Sequence, residues 1–322
     1  MSSKVTILLS TFNRAQLIEE TLVSIQNQTY QNFECLITDD NSTDSTEKVV
    51  NEFCINDSRF TYHRKPRSYP NGLSANRNFG LDLAKALDAK YIQFFDDDDI
   101  MHPKKIEMQM MFFKQDPLLE IVGCKFQGFI GDFDLDKHEY VGDMKVQSND
   151  LAWDFLNLNI RLNSGGPIFK FSLLSEFRFD EQLLNFAEET EYYLRVFFIK
   201  KPNYAACDNF LFFYRHHQDT NTSTTKNSII KHGSRLYILD KLYEFIENNQ
   251  LFESRLYAFF IKVYTIDSYN KEMLLKINKS LITTSHENHI SFVKIKKFQF
   301  LIWFHRFYRK VFFKISFLCE KG

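Results

Sequence analysis

Several features that assign a function directly are absent from this 322-residue sequence. Its five cysteines are widely spaced and form no CxxC pair, which excludes the common zinc patterns and predicts a reducing compartment. No apolar run is as long as a membrane span, and the run in the opening MSSKVTILLSTFNR is too short for a signal peptide. The net charge of −1 gives no indication of a nucleic-acid partner.

Apolar residues, in contrast, are abundant: 44% of the chain is hydrophobic and 35 residues are phenylalanine, enough for a sizeable core. Strand-like runs alternate with segments of helical periodicity, which predicts an α/β fold with a mostly parallel sheet, flanking helices and right-handed crossovers. Helical periodicity resumes after residue 225. We therefore expect one domain over residues 1–225, with halves of about 1–115 and 116–225, and a helical extension over 226–322.

The predicted elements follow from the positions of apolar runs and breakers. The predicted strands cover residues 4–10, 33–38, 60–64, 121–130, 163–171 and 204–214, and a central strand begins at residue 91. The predicted helices cover residues 15–28, 45–54, 73–87, 103–114, 148–158 and 186–200. Asp44 and Glu47 fit a capping box at the start of the second helix.

Residues 91–103, YIQFFDDDDIMHP, join a buried-looking strand to four consecutive aspartates. Asp96 and Asp98 point to one side of an extended segment, and two hard oxygen ligands suit a Mg²⁺ or Mn²⁺ that also holds phosphate oxygens. The alternative is a solvated acidic turn. The apolar strand before the aspartates and the helix opened by Pro103 favour the metal site.

Other polar residues follow the predicted second strand and start the next helix. A carboxylate at Asp40 suits a nucleobase N–H or a ribose hydroxyl, whereas Asp44 suits a helix cap better. Arg77 offers bidentate donors to a diphosphate, and its alternative is a surface arginine on a helix. Since ligands of open α/β sheets bind at the carboxyl ends of the strands, these residues predict one polar site.

Glu188 and Glu189 stand where a later helix begins, and the helix dipole keeps such carboxylates ionised. An ionised glutamate is a suitable general base for an acceptor hydroxyl, although charge pairing at a helix start explains the same residues. His216 and His217, after the last predicted strand, suit a metal or a phosphate, or have a structural role.

Residues 292–322 carry eight Lys or Arg against one Glu, a net of +7, interleaved with aromatic side chains. A basic, aromatic-rich helix suits the interface of an anionic membrane. The alternative is a helix that packs in the core or against a second protomer. We expect peripheral membrane contact through this tail.

These motifs together resemble the family 2 glycosyltransferases with a GT-A fold, over residues 4–225. The opening VTILLSTFNR resembles their first strand and loop, and FECLITDDNSTDST their nucleotide-binding strand and turn. NGLSANRNFGLDLAKALDAKYIQFFDDDDIMHP resembles their Arg-Asn-x-Gly helix and DxD strand, AEETEYYLR their catalytic helix, and YRHH their Tyr-Arg-x-His segment.

The resemblance implies a role for individual residues. The donor-binding residues that it implies are Thr11, Phe12, Asn13, Arg14, Asp40, Arg77, Asp96, Asp97 and Gly166. The metal ligands that it implies are Asp98, Asp96 and His217. Glu189 matches the catalytic base, but the family often has Asp there, which leaves Glu188 as a competitor.

The function implied is an inverting, Mn²⁺- or Mg²⁺-dependent transfer from a nucleotide-sugar, UDP-sugar favoured, to a glycan or lipid-linked acceptor in cell-surface polysaccharide synthesis. The expected location is cytoplasmic, at the inner face of the cytoplasmic membrane. One alternative is a sugar-phosphate nucleotidyltransferase, but STFNRAQ lacks the glycines of its phosphate loop. The other is a non-catalytic, membrane-associated protein that binds nucleotide-sugars, against which the full set of carboxylates argues.

Overall fold

A computed structural model describes residues 3–183, 187–216, 227–251, 253–264, 270–283, 296–300 and 302–303. The chain divides into two compact units, Met1–Ile238 and Leu239–Gly322. The predicted domain boundary between residues 225 and 226 falls outside the described residues, so it stays a prediction.

The first part of the chain alternates strands with helices. The strands are β1 (Val5–Thr11), β2 (Phe33–Asp39), β3 (Phe60–Arg64) and β4 (Tyr91–Asp96). The helices between them are α1 (Ile18–Gln26), α2 (Thr46–Asn56) and α3 (Leu73–Ala86). All four strands run parallel, in the order β3-β2-β1-β4. The predicted parallel α/β arrangement is confirmed.

The capping box predicted for α2 forms only in part. Asp44 accepts a hydrogen bond from the Thr46 amide at 2.9 Å and from the Ala15 amide at 3.2 Å. The Glu47 carboxylate, however, does not bond back to the start of the helix: it pairs with Arg64 of β3 at 2.8 Å. A long-range ion pair has replaced the local contact.

The second part of the sheet mixes strand directions. Its elements are β5 (Ile100–Met101), α4 (Lys105–Gln115), β6 (Ile121–Phe129), α5 (Leu151–Leu156), β7 (Ile168–Lys170), α6 (Phe171–Leu174), α7 (Glu188–Lys200) and β8 (Tyr204–Arg215). β7 is antiparallel to both β4 and β6, whereas β8 is parallel to β6. The complete order is β3-β2-β1-β4-β7-β6-β8-β5.

Every residue of β1 is buried, because helices cover both faces of the sheet. Its register places Thr11 opposite Asp39 on one side and Ser10 opposite Asp96 on the other. The carboxyl ends of three neighbouring parallel strands therefore meet at one edge, where polar side chains follow apolar ones.

The C-terminal part is helical, as predicted, with α8 (Asn227–Asn248), α9 (Ser254–Lys262) and α10 (Lys271–Thr283). None of the helices within the described ranges has the length and apolar character that a membrane crossing requires. Most of the basic tail predicted over residues 292–322 lies outside the described residues, which include only 296–300 and 302–303 of it.

Candidate active site

A cleft of about 1550 Å³ lies at the edge where the parallel strands end. Its walls include the ends of β1, β2 and β4, the start of α7 and the loops around α5. Ligand pockets of drug-like size are about 300–1,000 Å³. This cleft is larger than that range.

The acidic turn after β4 contributes Asp96, Asp97 and Asp98 to the cleft wall. The strand ends at Asp96, so the alternation that would turn Asp96 and Asp98 to one side stops there. Instead, Asp97 and Asp98 share Arg14, whose Nε lies 3.5 Å from Asp97 and whose Nη2 lies 3.9 Å from Asp98. The Phe12 amide donates to Asp97 at 3.3 Å. The loop after β1 thus contacts the acidic turn directly.

The donor set of this turn fits a hard divalent cation. Burial and the charge of Asp98 raise the pKa of Asp97 to about 8, because the carboxylates of the turn lie close together and away from water. Within the ranges that the structure describes, no three His, Cys, Asp or Glu side chains form a metal-ligand group. Mg²⁺ is usually held by one or two carboxylates with substrate phosphates. The two or three aspartates here match that pattern.

Asp40 follows β2 and lines the cleft. Its carboxylate pairs with Lys65, whose side chain is fully buried and also donates to the Pro70 carbonyl at 2.5 Å. The other oxygen of Asp40 accepts from the Gly72 amide at 2.7 Å. Both oxygens therefore have partners in the protein, and the expected contact with a nucleobase stays a prediction.

Phe12 and Asn13 differ in their placement. Phe12 is half-exposed and lines the cleft beside the buried Thr11. Asn13 is not among the cleft-lining residues; its side chain accepts from the Thr43 amide at 2.8 Å and its own amide donates to Ser42 at 2.9 Å. With its φ of +52°, Asn13 ties the loop after β1 to the loop after β2.

Arg77 of α3 is buried and linked to two carboxylates of the cleft wall. Its Nη1 donates to Glu188 at 2.7 Å and its Nη2 to Asp96 at 2.8 Å. The surface position considered from sequence is thus wrong, because α3 turns this side chain inward. Arg77 bridges the acidic turn and the start of α7, and its contact with a diphosphate stays a prediction.

Glu189 also starts α7 but has a different environment. One carboxylate oxygen accepts from the Ser164 amide at 3.0 Å. Burial raises the pKa of Glu189 to about 8; Arg77 lowers it, and the carboxylates of Glu188 and Asp96 raise it. The Ser164 hydroxyl donates to Asp96 at 2.8 Å, so a single residue contacts both Glu189 and the acidic turn.

The loop that carries Ser164 rests on a buried polar network. Lys105 of α4 donates to Gln93 and, at 2.7 Å, to Gln109. Gln93 donates to the Gly165 carbonyl at 3.1 Å and Gln109 to the Gly166 carbonyl at 2.9 Å. The resemblance implies that Gly166 lets the backbone approach the donor sugar or the acceptor. In the structure it lies among these core groups and is not among the cleft-lining residues, so that contact stays a prediction.

Arg215, at the end of β8, binds the backbone of the acidic turn. Its Nε donates to the Asp98 carbonyl at 2.9 Å, its Nη1 to the Gly131 carbonyl at 2.8 Å, and it pairs with Glu20 of α1. His216 lines the cleft. His217, the metal ligand expected from sequence, lies outside the described residues.

Sequence reasoning did not identify four residues of this site: Lys65, Lys105, Ser164 and Arg215. For the partners of Lys105 a signal existed, because Gln93 and Gln109 interrupt otherwise apolar segments. Arg215 stands in the YRHH segment, which marked the position but not its contacts. Lys65 and Ser164 act through tertiary contacts between distant segments, which no local pattern in the sequence indicates.

The family described as Glycosyl transferase family 2 matches residues 6–178, more than half of the chain. A UDP-Glc:alpha-D-GlcNAc-diphosphoundecaprenol beta-1,3-glucosyltransferase of Escherichia coli, WfgD, is 26% identical over 244 residues, which are 76% of this chain and 87% of that protein. A GalNAc(5)-diNAcBac-PP-undecaprenol beta-1,3-glucosyltransferase of Campylobacter jejuni is 38% identical over 96 residues. That match spans about 30% of each protein.

Solved structures with similar folds include TarS of S. aureus in complex with UDP-GlcNAc, with a TM-score of 0.56 at 16% identity over 86% of this chain and 79% of that one. The mannosyltransferase PcManGT of Pyrobaculum calidifontis, in complex with GDP-Man and Mn²⁺, has a TM-score of 0.53 at 16% identity over 90% of this chain and 76% of that one. At such identities the likeness concerns the fold alone. From the family match, the chain belongs to glycosyl transferase family 2.

Proposed function

We propose that this chain is an inverting, metal-dependent glycosyltransferase of the GT-A type that moves a sugar from a UDP-sugar to a hydroxyl of a lipid-linked saccharide. The observation that carries the proposal is the meeting of Asp97, Asp98 and Glu189 around one cleft at the carboxyl edge of the sheet. A nucleoside diphosphate sugar suits the acidic turn and its cation, and an acceptor hydroxyl suits Glu189.

In this mechanism Glu189 accepts the proton of the acceptor hydroxyl. The hydroxyl oxygen forms a bond to the anomeric carbon while the bond from that carbon to the diphosphate oxygen breaks, and the electron pair leaves with the nucleoside diphosphate. Attack from the face opposite the leaving group inverts the anomeric carbon. A base with a pKa near the working pH is the most effective, and the pKa of Glu189, raised by burial to about 8, supports this role.

Glu188 is the weaker candidate for the base. Its carboxylate is buried and paired with Arg77 at 2.7 Å, which leaves it less available to an acceptor hydroxyl. Its proposed role is to position Arg77, and through Arg77 the carboxylate of Asp96. Asp98 and Asp96 would hold a divalent cation, which would supply charge neutralisation for the leaving diphosphate.

The acceptor class is proposed from the relatives. The Escherichia coli and Campylobacter jejuni proteins carry names that include diphosphoundecaprenol or PP-undecaprenol acceptors. A basic tail of net +7 supports contact with an anionic membrane, where such acceptors would lie. We propose a peripheral position at the inner face of the cytoplasmic membrane, within polysaccharide synthesis.

The test begins with the full chain and a panel of nucleotide-sugars, measured by thermal shift with and without Mn²⁺. A ligand that binds the native state raises the melting temperature, so the donor should do so in the presence of the metal. Sugar transfer is then measured for wild type, Glu189→Gln, Glu188→Gln and Asp98→Ala. Glu52→Gln, an exposed glutamate of α2, is the matched control.

Glu189→Gln should still bind the donor but transfer sugar about 10²–10⁴-fold more slowly, because an amide cannot accept the proton. Asp98→Ala should lose the shift that depends on Mn²⁺, and Glu52→Gln should match the wild type. Full activity in both Glu189→Gln and Asp98→Ala would remove this mechanism. Pyrophosphate release from a nucleoside triphosphate and a sugar phosphate would point to a nucleotidyltransferase instead.

A further inference from the structure

The four Arg and Lys side chains that line the cleft fall into two groups. Arg14 and Arg77 face the carboxylates of the acidic turn and of α7. Lys145 and Arg161 come from the loops before and after α5, and neither forms an ion pair with any residue that the structure describes. The positive charge that remains for an anionic ligand therefore lies on the α5 side of the cleft.

The backbone at Arg161 is held firmly although its side chain is exposed. Its neighbours Ile160 and Leu162 are 1% and 6% exposed. Just before them, the Asn159 amide donates to the Asp154 carbonyl at 2.8 Å. These contacts on both sides fix the backbone at Arg161. A ligand that binds the guanidinium therefore loses little free energy to ordering the backbone.

The nearby carboxylates have partners of their own. Asp143, which lines the cleft, pairs with Lys125 at 3.3 Å. Hydrogen bonds from Asn159 and Ser148 lower the pKa of Asp154, and the charge of Lys145 lowers it further. The positive charge of Lys145 is thus partly balanced by the carboxylate of Asp154. Arg161 has no such partner among the residues that the structure describes, which makes it the stronger candidate for binding an anion.

Arg161 is also close to the proposed base along the chain. Ser164, three residues later, donates its amide to Glu189 at 3.0 Å. Three extended residues span at most about 11 Å. The segment that carries Arg161 thus also contacts the proposed base, and Arg161 and Glu189 both line the cleft.

We propose that Arg161, supported by Lys145, binds a phosphate or diphosphate carried directly by the acceptor sugar, so that the enzyme selects acceptors in which the reacting sugar is itself linked to diphosphate. The inference rests on the proposed function and adds the site that recognises the acceptor. A guanidinium suits this role because its planar fork makes bidentate hydrogen bonds to phosphate oxygens.

The test measures acceptor binding by the full chain saturated with UDP and Mn²⁺, so that the donor's diphosphate position is filled. The probes are N-acetylglucosamine joined through a diphosphate to an octyl chain, the octyl glycoside without the diphosphate, and N-acetylglucosamine 1-phosphate without the chain. The variants are Arg161→Ala and Arg161→Lys. Arg67→Ala is the matched control, since Arg67 is exposed and does not line the cleft.

Arg161→Ala should bind the octyl diphosphate probe about ten- to a hundred-fold more weakly, in line with the loss of hydrogen bonds to a charged group, while the octyl glycoside binds as to wild type. Arg161→Lys should recover part of the affinity. The 1-phosphate arm should show the same loss, which assigns the effect to phosphate and not to the chain. Unchanged binding of the diphosphate probe, or an equal loss for the octyl glycoside, would overturn the proposal.

Donor affinity separates this proposal from the proposed function. The dissociation constant of UDP should be the same for Arg161→Ala and wild type, and a parallel loss of UDP affinity would place Arg161 on the donor side instead. Because all of these measurements record binding, they retain their meaning if no tested donor is turned over. Absence of sugar transfer would count against the proposed function, whereas the probe comparison decides the acceptor site.

Discussion

Arg77 donates to the carboxylate of Glu188 at 2.7 Å inside the wall of the cleft, with its side chain only 3% exposed. The same guanidinium reaches Asp96 at 2.8 Å. The acidic turn after β4 and the start of α7, more than 90 residues apart in the chain, are therefore joined by one buried cation.

Replacing Arg77 by methionine should destabilise the fold by about 3–5 kcal/mol, because two carboxylates lose a buried partner. Arg178→Met is the matched control: its guanidinium pairs with Asp82 where both side chains are more than a third exposed, and such pairs contribute about 1 kcal/mol or less. Urea unfolding measures both. Adding Glu188→Gln to Arg77→Met should restore part of the loss, and a double variant no more stable than Arg77→Met would contradict this account.

If Glu189 is the base, transfer should depend on pH. With a pKa near 8 in the free enzyme, kcat/KM should rise about ten-fold per pH unit below 8 and level off above it, because only the ionised carboxylate accepts a proton. The measurement is a kcat/KM profile from pH 6 to 9.5. Glu189→Gln should give a low, flat profile, and a wild-type profile equally flat would exclude Glu189 as the group that titrates.

The raised pKa of Glu189 also determines how the stability of the fold changes with pH. The folded state keeps the proton up to about pH 8, while the unfolded chain releases it near 4.5. The folded state therefore binds more protons between these values, and stability is lost as pH rises. The free energy of unfolding of Glu189→Gln relative to wild type should increase from pH 4.5 to 8. No change in this difference would show that the carboxylate is solvated as in the unfolded chain.

Ser164 links the proposed base to the acidic turn through two groups, its amide and its hydroxyl. A substitution can remove the hydroxyl and leave the amide in place. Ser164→Ala removes the 2.8 Å bond to Asp96 but keeps the amide that donates to Glu189. We expect a loss of about 1.5–3 kcal/mol in unfolding free energy, the range for a hydrogen bond to a charged group. Ser175→Ala, on an exposed turn, should change stability by less than about 0.5 kcal/mol. Equal effects in both variants would remove the special role of Ser164.

The buried amine of Lys105 should make stability depend on pH in the opposite direction. Burial lowers the pKa of its amine from 10.5 to about 8, so between these values the unfolded chain binds more protons and stability rises with pH. This lowering of the pKa corresponds to about 3 kcal/mol. Between pH 7.5 and 10.5 the stability of wild type relative to Lys105→Met should grow by about this amount, whereas the exposed neighbour Lys104→Met should show no such trend. A pH-independent difference would mean that Lys105 titrates normally.

The parallel half of the fold was predictable because its pattern is local. Runs such as VTILLST are apolar on both faces, and the polar residues after them are the loops that follow parallel strands. β3 begins and ends at the predicted residues, Phe60 and Arg64. The edge where Asp40 and Asp98 line one cleft follows from strand direction, whereas Glu189 joins them from the start of α7.

The individual contacts of the site were less predictable, because they depend on which side chains fold against each other. Nothing near Asp40 in the sequence indicates that Lys65 will be buried beside it. Glu47 has the correct spacing for a capping box, yet it bonds to Arg64 on another strand. The turn of Asp97 and Asp98 toward Arg14 arises where the strand ends, and strand periodicity gives no information beyond that residue.

Arg215 reaches the Asp98 carbonyl from 117 positions further along the chain, and it also binds the segment at Gly131. During synthesis on the ribosome, the four parallel strands emerge long before this side chain does. The hydrogen bond from Arg215 to the acidic turn can therefore form only after β8 has been synthesised. A fragment that ends after residue 115, although it holds the four parallel strands β1 to β4, should consequently bind nucleotide and metal poorly, and donor affinity should appear only in chains that extend past residue 215.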